Sequence, residues 1–174
     1  SHYLADFDLG RLVAQMRRAA IRLGLGAAGQ LIAITDAGNG IEAALRRHFD
    51  DEMLCILDWY HAGAHLHDYA KCLHAHDPAR AAAWAKQAKE VLYERGGGAL
   101  LGHLREQAAP ADALVADELR KLIGYFTETE HRTDYPNYRK HGYDIGSGPT
   151  EAACKIVGAR LKQSGMRWAE RGAA

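Results

Sequence analysis

Two short apolar runs, at 31–35 and 53–57, constrain the fold of this chain more than any other feature. Each is compact and rich in β-branched or bulky residues, so each is predicted to be a buried strand. A segment with helical spacing lies between them at 41–49. The order strand, helix, strand predicts a βαβ unit with a parallel sheet. Asp36 and Asp58 then fall at the carboxyl ends of the strands, where open α/β sheets bind ligands.

The rest of the chain is predicted to be mainly helical, because alanine and other helix formers dominate and strand signals disappear after residue 60. The predicted helices run over 9–25, 61–76, 79–93, 99–107, 111–127 and 150–164. A triple glycine separates the third of these helices from the fourth. A short edge strand at 3–7 and an irregular, tyrosine-rich loop at 133–148 complete the prediction.

Charge and cysteine content narrow the class of function. The chain has 22 basic and 22 acidic residues, whereas a complete nucleic-acid-binding protein is usually basic. The balance fits a catalytic part that is separated from its DNA-reading parts. Three widely spaced cysteines indicate no disulfide framework and favour a reducing compartment. No apolar run approaches the roughly 18 residues of a membrane span, so no membrane partner is expected.

Asp36 and Glu151 are candidate metal ligands. Asp36 follows an apolar strand, and Glu151 lies in the first turn of a predicted helix behind a glycine-rich loop. Carboxylates on different elements, far apart in sequence, suit a divalent metal site for phosphodiester chemistry. Each residue also has a simpler interpretation. Asp36 lies in good turn and helix-capping sequence, and a first-turn glutamate such as Glu151 favours the helix dipole and pairs with Lys155.

Basic residues towards the end of the sequence are candidate DNA contacts. Lys155 and Lys162 share a helix face with Glu151, and Arg167 follows in a basic, aromatic tail. A solvated helix face is an equal alternative. Arg139 lies among tyrosines on which DNA bases could stack. Packing of those tyrosines against the domain is the equal alternative there.

Asp58 and His61 allow further interpretations. Asp58 could ligate a metal, or it could cap the helix that begins near His61. His61 also shares a helix face with His65, Asp68 and Cys72, and histidine and cysteine are the ligands that zinc prefers. One straight helix usually offers only two ligands to one metal. Solvated or hydrogen-bonded histidines are therefore favoured over a zinc site.

Four segments, in order along the chain, combine these features in a specific way. They are Ile-Leu-Asp-Trp-Tyr-His-Ala at 56–62, Asp-Tyr-Pro-Asn-Tyr-Arg at 134–139, Ile-Gly-Ser-Gly-Pro-Thr-Glu at 145–151 and Arg-Leu-Lys-Gln-Ser-Gly-Met-Arg-Trp at 160–168. Together they resemble bacterial insertion-sequence transposases of the Kra type. Those proteins are DDE transposases with a layout related to the Mutator-like group. The resemblance spans the chain from about residue 3 to its end.

The resemblance implies an α/β fold with a partial ribonuclease-H-like core interrupted by a large all-helical insertion. The core would occupy 1–60, the insertion 61–133, and 134–174 would return to the core with the glutamate helix and a basic tail. Two Mg²⁺ (or Mn²⁺) ions would be held by two aspartates and one glutamate. The implied partners are DNA, as transposon ends and target, and a second copy in a homodimer of the intact protein. The implied location is the nucleoid in the bacterial cytoplasm.

Within this resemblance, Glu151 matches the final glutamate of the family and Asp36 matches its second aspartate. Asp58 and His61 match an Asp-x-x-His signature that, in related transposases, supports the site or contacts DNA. A simple count of two aspartates and one glutamate would instead make Asp36, Asp58 and Glu151 the catalytic triad. The aspartates near residue 7 lie too close to Asp36 to provide the family's first aspartate. The chain is therefore expected to be a fragment that lacks the opening strands and that carboxylate.

Overall fold

The computed structural model describes residues 4, 6, 8–38, 40–49, 53–107 and 111–148. Its helices are α1 (Leu9–Arg22), α2 (Ile41–His48), α3 (Trp59–Leu73), α4 (Pro78–Glu106), α5 (Ala113–Thr129) and α6 (Tyr135–Lys140). Its strands are β1 (Ile32–Thr35) and β2 (Leu54–Leu57). Short 3-10 helices follow α1 at Leu25–Ala27 and α5 at Glu130–Arg132. The predicted edge strand at 3–7 lies mostly outside the described residues, and the predicted helix at 150–164 lies entirely outside them.

The two strands pair in parallel, in register from Ile32 with Leu54 to Thr35 with Leu57. The ladder continues past the end of β2, where the Asp58 N–H donates to the Thr35 carbonyl at 2.9 Å. The helix α2 is the crossover between the strands. The βαβ unit predicted from the sequence is therefore confirmed.

Alternation of side chains along the strands gives the sheet two apolar faces. One face packs on α1 and α2 through the side chains of Val13, Leu31, Ala33, Leu45, Met53 and Cys55. The opposite face packs on the other helices through the strand residues Ile32, Ile34, Leu54 and Ile56. Helices thus cover both faces, as parallel strands require.

The helices α3, α4 and α5 form a body around a second core. Its fully buried leucines include Leu66, Leu92, Leu100 and Leu104. Within α4 the helical backbone is interrupted at Gly96, where φ is 79° and ψ is 179°, a conformation that favours glycine. Two helices therefore meet at a kink in the triple glycine, which confirms the prediction of separate helices on either side of it. At Gly97 a side chain would meet Thr133, since an added Cβ would lie 3.0 Å from the Thr133 Cβ.

The segment predicted as an irregular loop, 133–148, contains the short helix α6. Asp134 caps this helix by accepting a hydrogen bond from the Asn137 N–H at 3.4 Å, and Pro136 suits the first turn. Tyr135 and Tyr138 of α6 are buried in the second core. The packing interpretation therefore holds for these two tyrosines.

The architecture is a helix-rich α/β fold. A two-stranded parallel sheet has α1 and α2 on one face and α3 to α6 on the other. The helical segment predicted at 61–133 corresponds to most of α3 and to α4 and α5. Among the helices described, none is both long and apolar enough to cross a membrane.

Candidate functional site

The carboxyl edge of the sheet brings the two candidate aspartates together. Asp36 and Asp58 directly follow the paired residues Thr35 and Leu57. Adjacent strands lie about 4.8 Å apart, so the two aspartates start from neighbouring positions. The Asp36 and Asp58 carboxylates both raise the pKa of Tyr125, which lies on α5. The two aspartates thus lie at the same edge of the sheet, as the βαβ prediction requires.

Asp58 is buried, with 6% of its surface exposed, and both of its carboxylate oxygens accept hydrogen bonds. One oxygen accepts from the Tyr60 N–H at 3.3 Å, which makes Asp58 the N-cap of α3. The same oxygen accepts from the Ser147 N–H at 3.0 Å, and the second oxygen accepts from the Ser147 hydroxyl at 2.7 Å. The Trp59 N–H also donates to the Ile145 carbonyl at 2.9 Å. Asp58 therefore fastens the glycine-rich loop to the sheet edge.

The Asp36 carboxylate is exposed and makes no hydrogen bond or ion pair with any described residue. The helix α2 is capped by Gly40, whose φ of 70° is left-handed, and no side chain of a described residue makes a capping hydrogen bond there. Asp36 therefore does not play the capping role that its local sequence also allowed. Its oxygens remain available to a ligand.

Arg132 clamps the ends of both strands from the 3-10 helix that follows α5. Only 3% of this residue is exposed. Its guanidinium donates to the Thr35 carbonyl at 3.0 Å and to the Ile56 carbonyl at 3.4 Å. It also donates to the Thr35 hydroxyl, and to the Asp36 carbonyl at 3.5 Å. The end of the helical body thereby fixes the backbone that carries Asp36.

Glu42, in the first turn of α2, supplies a negative charge beside the Arg132 guanidinium. Its carboxylate lies 3.5 Å from Arg132, 2.9 Å from Arg46 and 3.4 Å from His131. Burial raises the pKa of Glu42, but Arg46, Arg132 and His131 together outweigh burial and hold the pKa below its usual value. The carboxylate therefore stays ionised beneath the sheet edge.

Two tyrosines, buried Tyr135 and half-buried Tyr125, complete the edge. The Tyr135 hydroxyl donates to the Leu57 carbonyl at 2.9 Å, and burial raises the pKa of Tyr135. The Tyr125 hydroxyl is buried and has no hydrogen-bond partner within the described parts of the chain. Burial raises the pKa of Tyr125 to about 12; the Asp36 and Asp58 carboxylates act in the same direction, and Arg132 opposes them. Both phenols are therefore protonated at neutral pH.

Of the residues on the predicted zinc-binding face of α3, His61 and His65 lie close together. The Nε2 atoms of His61 and His65 lie 3.3 Å apart, and the His65 ring lies against Tyr125 with ring centroids 4.0 Å apart. Asp68 instead pairs with Lys71 at 3.0 Å. No group of three or more His, Cys, Asp or Glu side chains that could hold a metal ion occurs in the described ranges.

The other predicted contact residues fall into two groups. Arg139 lies on α6 against α4, with its guanidinium 3.6 Å from the centre of the Tyr93 ring. It also donates to the Tyr93 carbonyl at 3.2 Å and lies 3.7 Å from Glu94. A DNA phosphate that binds Arg139 would have to share its guanidinium with Tyr93 and Glu94. The remaining candidates are outside the described residues; they are Glu151, Lys155, Lys162 and Arg167.

Arg132 and Tyr125 are site residues that sequence reasoning did not select. In sequence, Arg132 is one of several basic residues in a tyrosine-rich segment, and its clamp reaches a residue 97 positions earlier. Tyr125 lies in ordinary helical sequence between buried Leu122 and Phe126. No local signal distinguishes either residue from a packing residue.

No protein-family model, curated protein or solved structure matches this chain.

Proposed function

We propose that this chain is part of the catalytic domain of a DDE-type DNA transposase with a ribonuclease-H-like core. The reaction would be strand cleavage and transfer at transposon ends, dependent on Mg²⁺ or Mn²⁺. One observation carries the proposal. The Asp36 carboxylate lies at the carboxyl edge of a parallel sheet without a partner among the described residues, and the neighbouring strand ends at the half-buried contact of Asp58 with Ser147. Carboxylate oxygens are preferred ligands of Mg²⁺.

Ser147 connects that edge to the second proposed ligand, Glu151. Its amide and hydroxyl are both bound by Asp58. Four peptide units separate residues 147 and 151, and an extended chain spans at most about 3.6 Å per residue. The two Cα atoms therefore lie within about 14 Å of each other. This connection supports Asp36 and Glu151 as ligands of one metal site.

The outer edge of β1 supports a core larger than the described strands alone. Within the part of the chain that the structure describes, β1 pairs only with β2. A cavity of about 280 Å³ lies against β1, lined in part by Met16, Ala20, Ile32, Ile34 and Phe49. Two strands alone make a marginal sheet, and parallel sheets are normally covered. These features support a partial ribonuclease-H-like core that further strands would extend.

The proposed mechanism gives these residues separate roles in metal binding and in positioning the site. Asp36 and Glu151 would hold metal ions, which, when bound, activate the attacking water or DNA 3′-hydroxyl and stabilise the leaving oxygen. The Asp58 carboxylate already accepts three hydrogen bonds, so it would position the glycine-rich loop rather than bind metal. Arg132 would keep the Asp36 backbone fixed against the end of β2. This donor set fits the preference of Mg²⁺ for a few carboxylates.

DNA is the proposed partner. Lys155, Lys162 and Arg167 would bind phosphates, and His61 lies in the first turns of α3 after the sheet edge, where it would approach the DNA. Arg139 would do so only by sharing its contact with Tyr93 and Glu94. The helical body would contact transposon-end DNA or the second copy of a homodimer, and the protein would act at the nucleoid.

The test is metal-dependent cleavage by variants of the intact protein on DNA that carries the transposon ends. Asp36→Asn and Glu151→Gln are each expected to reduce Mg²⁺-dependent cleavage to background. Asp68→Asn is the matched control, because Asp68 is exposed and pairs only with Lys71 among the described residues. Cleavage retained by both site variants would reject the assignment. Cleavage without strand joining would indicate a different ribonuclease-H-like nuclease.

A non-catalytic helical module that binds zinc, as well as DNA or a partner protein, is the second candidate. The His61–His65 pair favours it. Two nitrogen ligands about 2.05 Å from a tetrahedral ion lie about 3.3 Å apart. That separation matches the 3.3 Å between the two Nε2 atoms. Stoichiometric zinc in the purified protein, lost on His61→Ala, would select this candidate, and zinc-free protein would exclude it.

A further inference from the structure

Tyr60, the second residue of α3, lies against the glycine-rich loop that leads to Glu151. An added Cβ at Gly146 would lie 2.8 Å from the Tyr60 Cε2 and 3.1 Å from its Cδ2. An added Cβ at Gly148 would lie 3.8 Å from the same Cε2 and 3.8 Å from the Tyr60 hydroxyl. One ring therefore follows the loop from residue 146 to residue 148, although 53% of Tyr60 is exposed.

Gly146 is enclosed by two side chains of the sheet edge. A Cβ at this position would meet the Tyr60 ring, and the Asp58 Oδ1 would lie 3.7 Å from the same atom. Nonbonded carbon atoms normally lie about 3.5–4.0 Å apart, so a side chain at residue 146 would displace either the ring or the loop. The backbone at Gly146 does not have a positive φ. Close packing against Tyr60, rather than backbone conformation, therefore accounts for the glycine.

Hydrogen bonds and the Tyr60 ring act on the loop in different ways. Asp58 accepts from the amide and the hydroxyl of Ser147, at 3.0 and 2.7 Å. The Trp59 N–H donates to the Ile145 carbonyl at 2.9 Å. These bonds hold the loop to the start of α3, whereas contact with the ring limits how closely the loop can approach. The ring and the hydrogen bonds together set the position of the loop.

The position of the loop bears on the metal site because Glu151 follows Gly148 by only three residues. Three extended residues span at most about 11 Å, so a displaced loop would carry Glu151 with it. We propose that Tyr60 is a positioning residue for the metal site. Its ring holds the loop at the distance from the sheet edge at which Glu151 and Asp36 bind one divalent ion. This inference rests on the proposed function, since it takes these two carboxylates as ligands of one ion.

Mn²⁺ binding by the full chain, measured from the electron paramagnetic resonance signal of the free ion, tests the role of Tyr60. Tyr60→Ala removes the ring and should weaken Mn²⁺ binding roughly 10- to 100-fold, the usual effect of removing a residue that orients a metal ligand. Tyr60→Phe keeps the ring and should bind Mn²⁺ as the unaltered chain does. Leu114→Ala is the matched control and should also leave Mn²⁺ binding unchanged. Leu114 is likewise exposed, is the second residue of its helix, and donates its N–H to a capping aspartate at 2.7 Å.

Gly146→Ala tests the same contact from the side of the loop. Its methyl group would displace the ring or the loop, so this variant should also weaken Mn²⁺ binding. Both changes remove one contact, so their effects should not add. Gly146→Ala should therefore weaken Mn²⁺ binding much less in a chain that already carries Tyr60→Ala. Fully additive effects would contradict a shared contact between residues 60 and 146.

Asp36→Asn separates failure of this inference from failure of the proposed function. Suppose that Asp36→Asn abolishes Mn²⁺ binding but Tyr60→Ala leaves it unchanged, or Tyr60→Phe weakens it as much as Tyr60→Ala does. Either result would overturn the positioning role of the ring and leave the metal site standing. Absence of Mn²⁺ binding by the unaltered chain, or binding that survives Asp36→Asn, would overturn both. Thermal unfolding checks that each variant is folded, which is expected for Tyr60→Ala because about half of Tyr60 is exposed.

Discussion

Arg132→Met tests whether one buried side chain locks the helical body to the sheet edge. The variant keeps a similar side-chain volume but loses the donors to the Thr35 and Ile56 carbonyls, at 3.0 and 3.4 Å. A hydrogen bond from a charged donor is worth about 1.5 kcal/mol at the low end, so the two together give about 3 kcal/mol. The ion pair with Glu42 is left out of this sum because that carboxylate keeps Arg46, at 2.9 Å. The expected loss is a large fraction of the roughly 5–15 kcal/mol by which domains are stable.

Urea denaturation of the full chain measures this loss. With a slope of about 2 kcal/mol per molar urea, a loss of about 3 kcal/mol lowers the midpoint by about 1.5 M. Arg132→Lys should recover little, because a single ammonium group cannot reproduce the fork of donors. Arg17→Met is the control, since Arg17 is exposed on α1, and it should change stability by less than about 0.5 kcal/mol. Equal midpoints for Arg132→Met and Arg17→Met would refute the clamp.

Three further predictions concern packing, pH and the loop. Gly97→Ala should lower the free energy of unfolding by about 1–3 kcal/mol, because the added methyl group would overpack against Thr133. Gly102→Ala on the same helix meets open space and should raise the free energy of unfolding by about 0.5–1 kcal/mol. Thermal unfolding compares the two variants, and equal effects would contradict the close approach of Gly97 to Thr133. The pKa of Glu42 is lowered in the folded protein, so its ionised carboxylate contributes to stability above pH 4.5, and this contribution is lost as the pH falls through the folded pKa. Glu42→Gln should therefore lower the free energy of unfolding at pH 7 but not near pH 3. A pH-independent effect would contradict this linkage. Asp58→Asn should cost about 1–2 kcal/mol and speed hydrogen exchange in the loop it binds; unchanged exchange would show that the carboxylate does not hold that loop.

The sheet could be predicted from the sequence because its signals are local. Two compact apolar runs on either side of a helical segment leave few alternatives to a parallel βαβ unit, and this also placed Asp36 and Asp58 at one edge. The helix α6 was missed although Asp134 and Pro136 are good start signals, because six residues are too few to show helical spacing. The triple glycine, which is a local signal, predicted a break between two helices, and the non-helical backbone at Gly96 confirms it.

The non-local part of the site could not be predicted. The Arg132 clamp joins residues 97 positions apart, and the Asp58–Ser147 contact joins residues 89 apart. Both depend on how the helical body packs on the sheet, which no single segment encodes. The Asp36 carboxylate, which has no partner among the described residues, is a similar case, since its sequence also suits a helix cap and the backbone puts Gly40 in that position instead.

Mn²⁺-induced line broadening in the NMR spectrum of the ¹⁵N-labelled chain tests the central claim most directly. The account predicts that substoichiometric Mn²⁺ broadens the amides of Asp36 and Glu151 together, and that Asp36→Asn removes the broadening at both positions. Broadening that is confined to one of these residues, or that survives Asp36→Asn, would show that the two carboxylates do not share an ion and would contradict the proposed site.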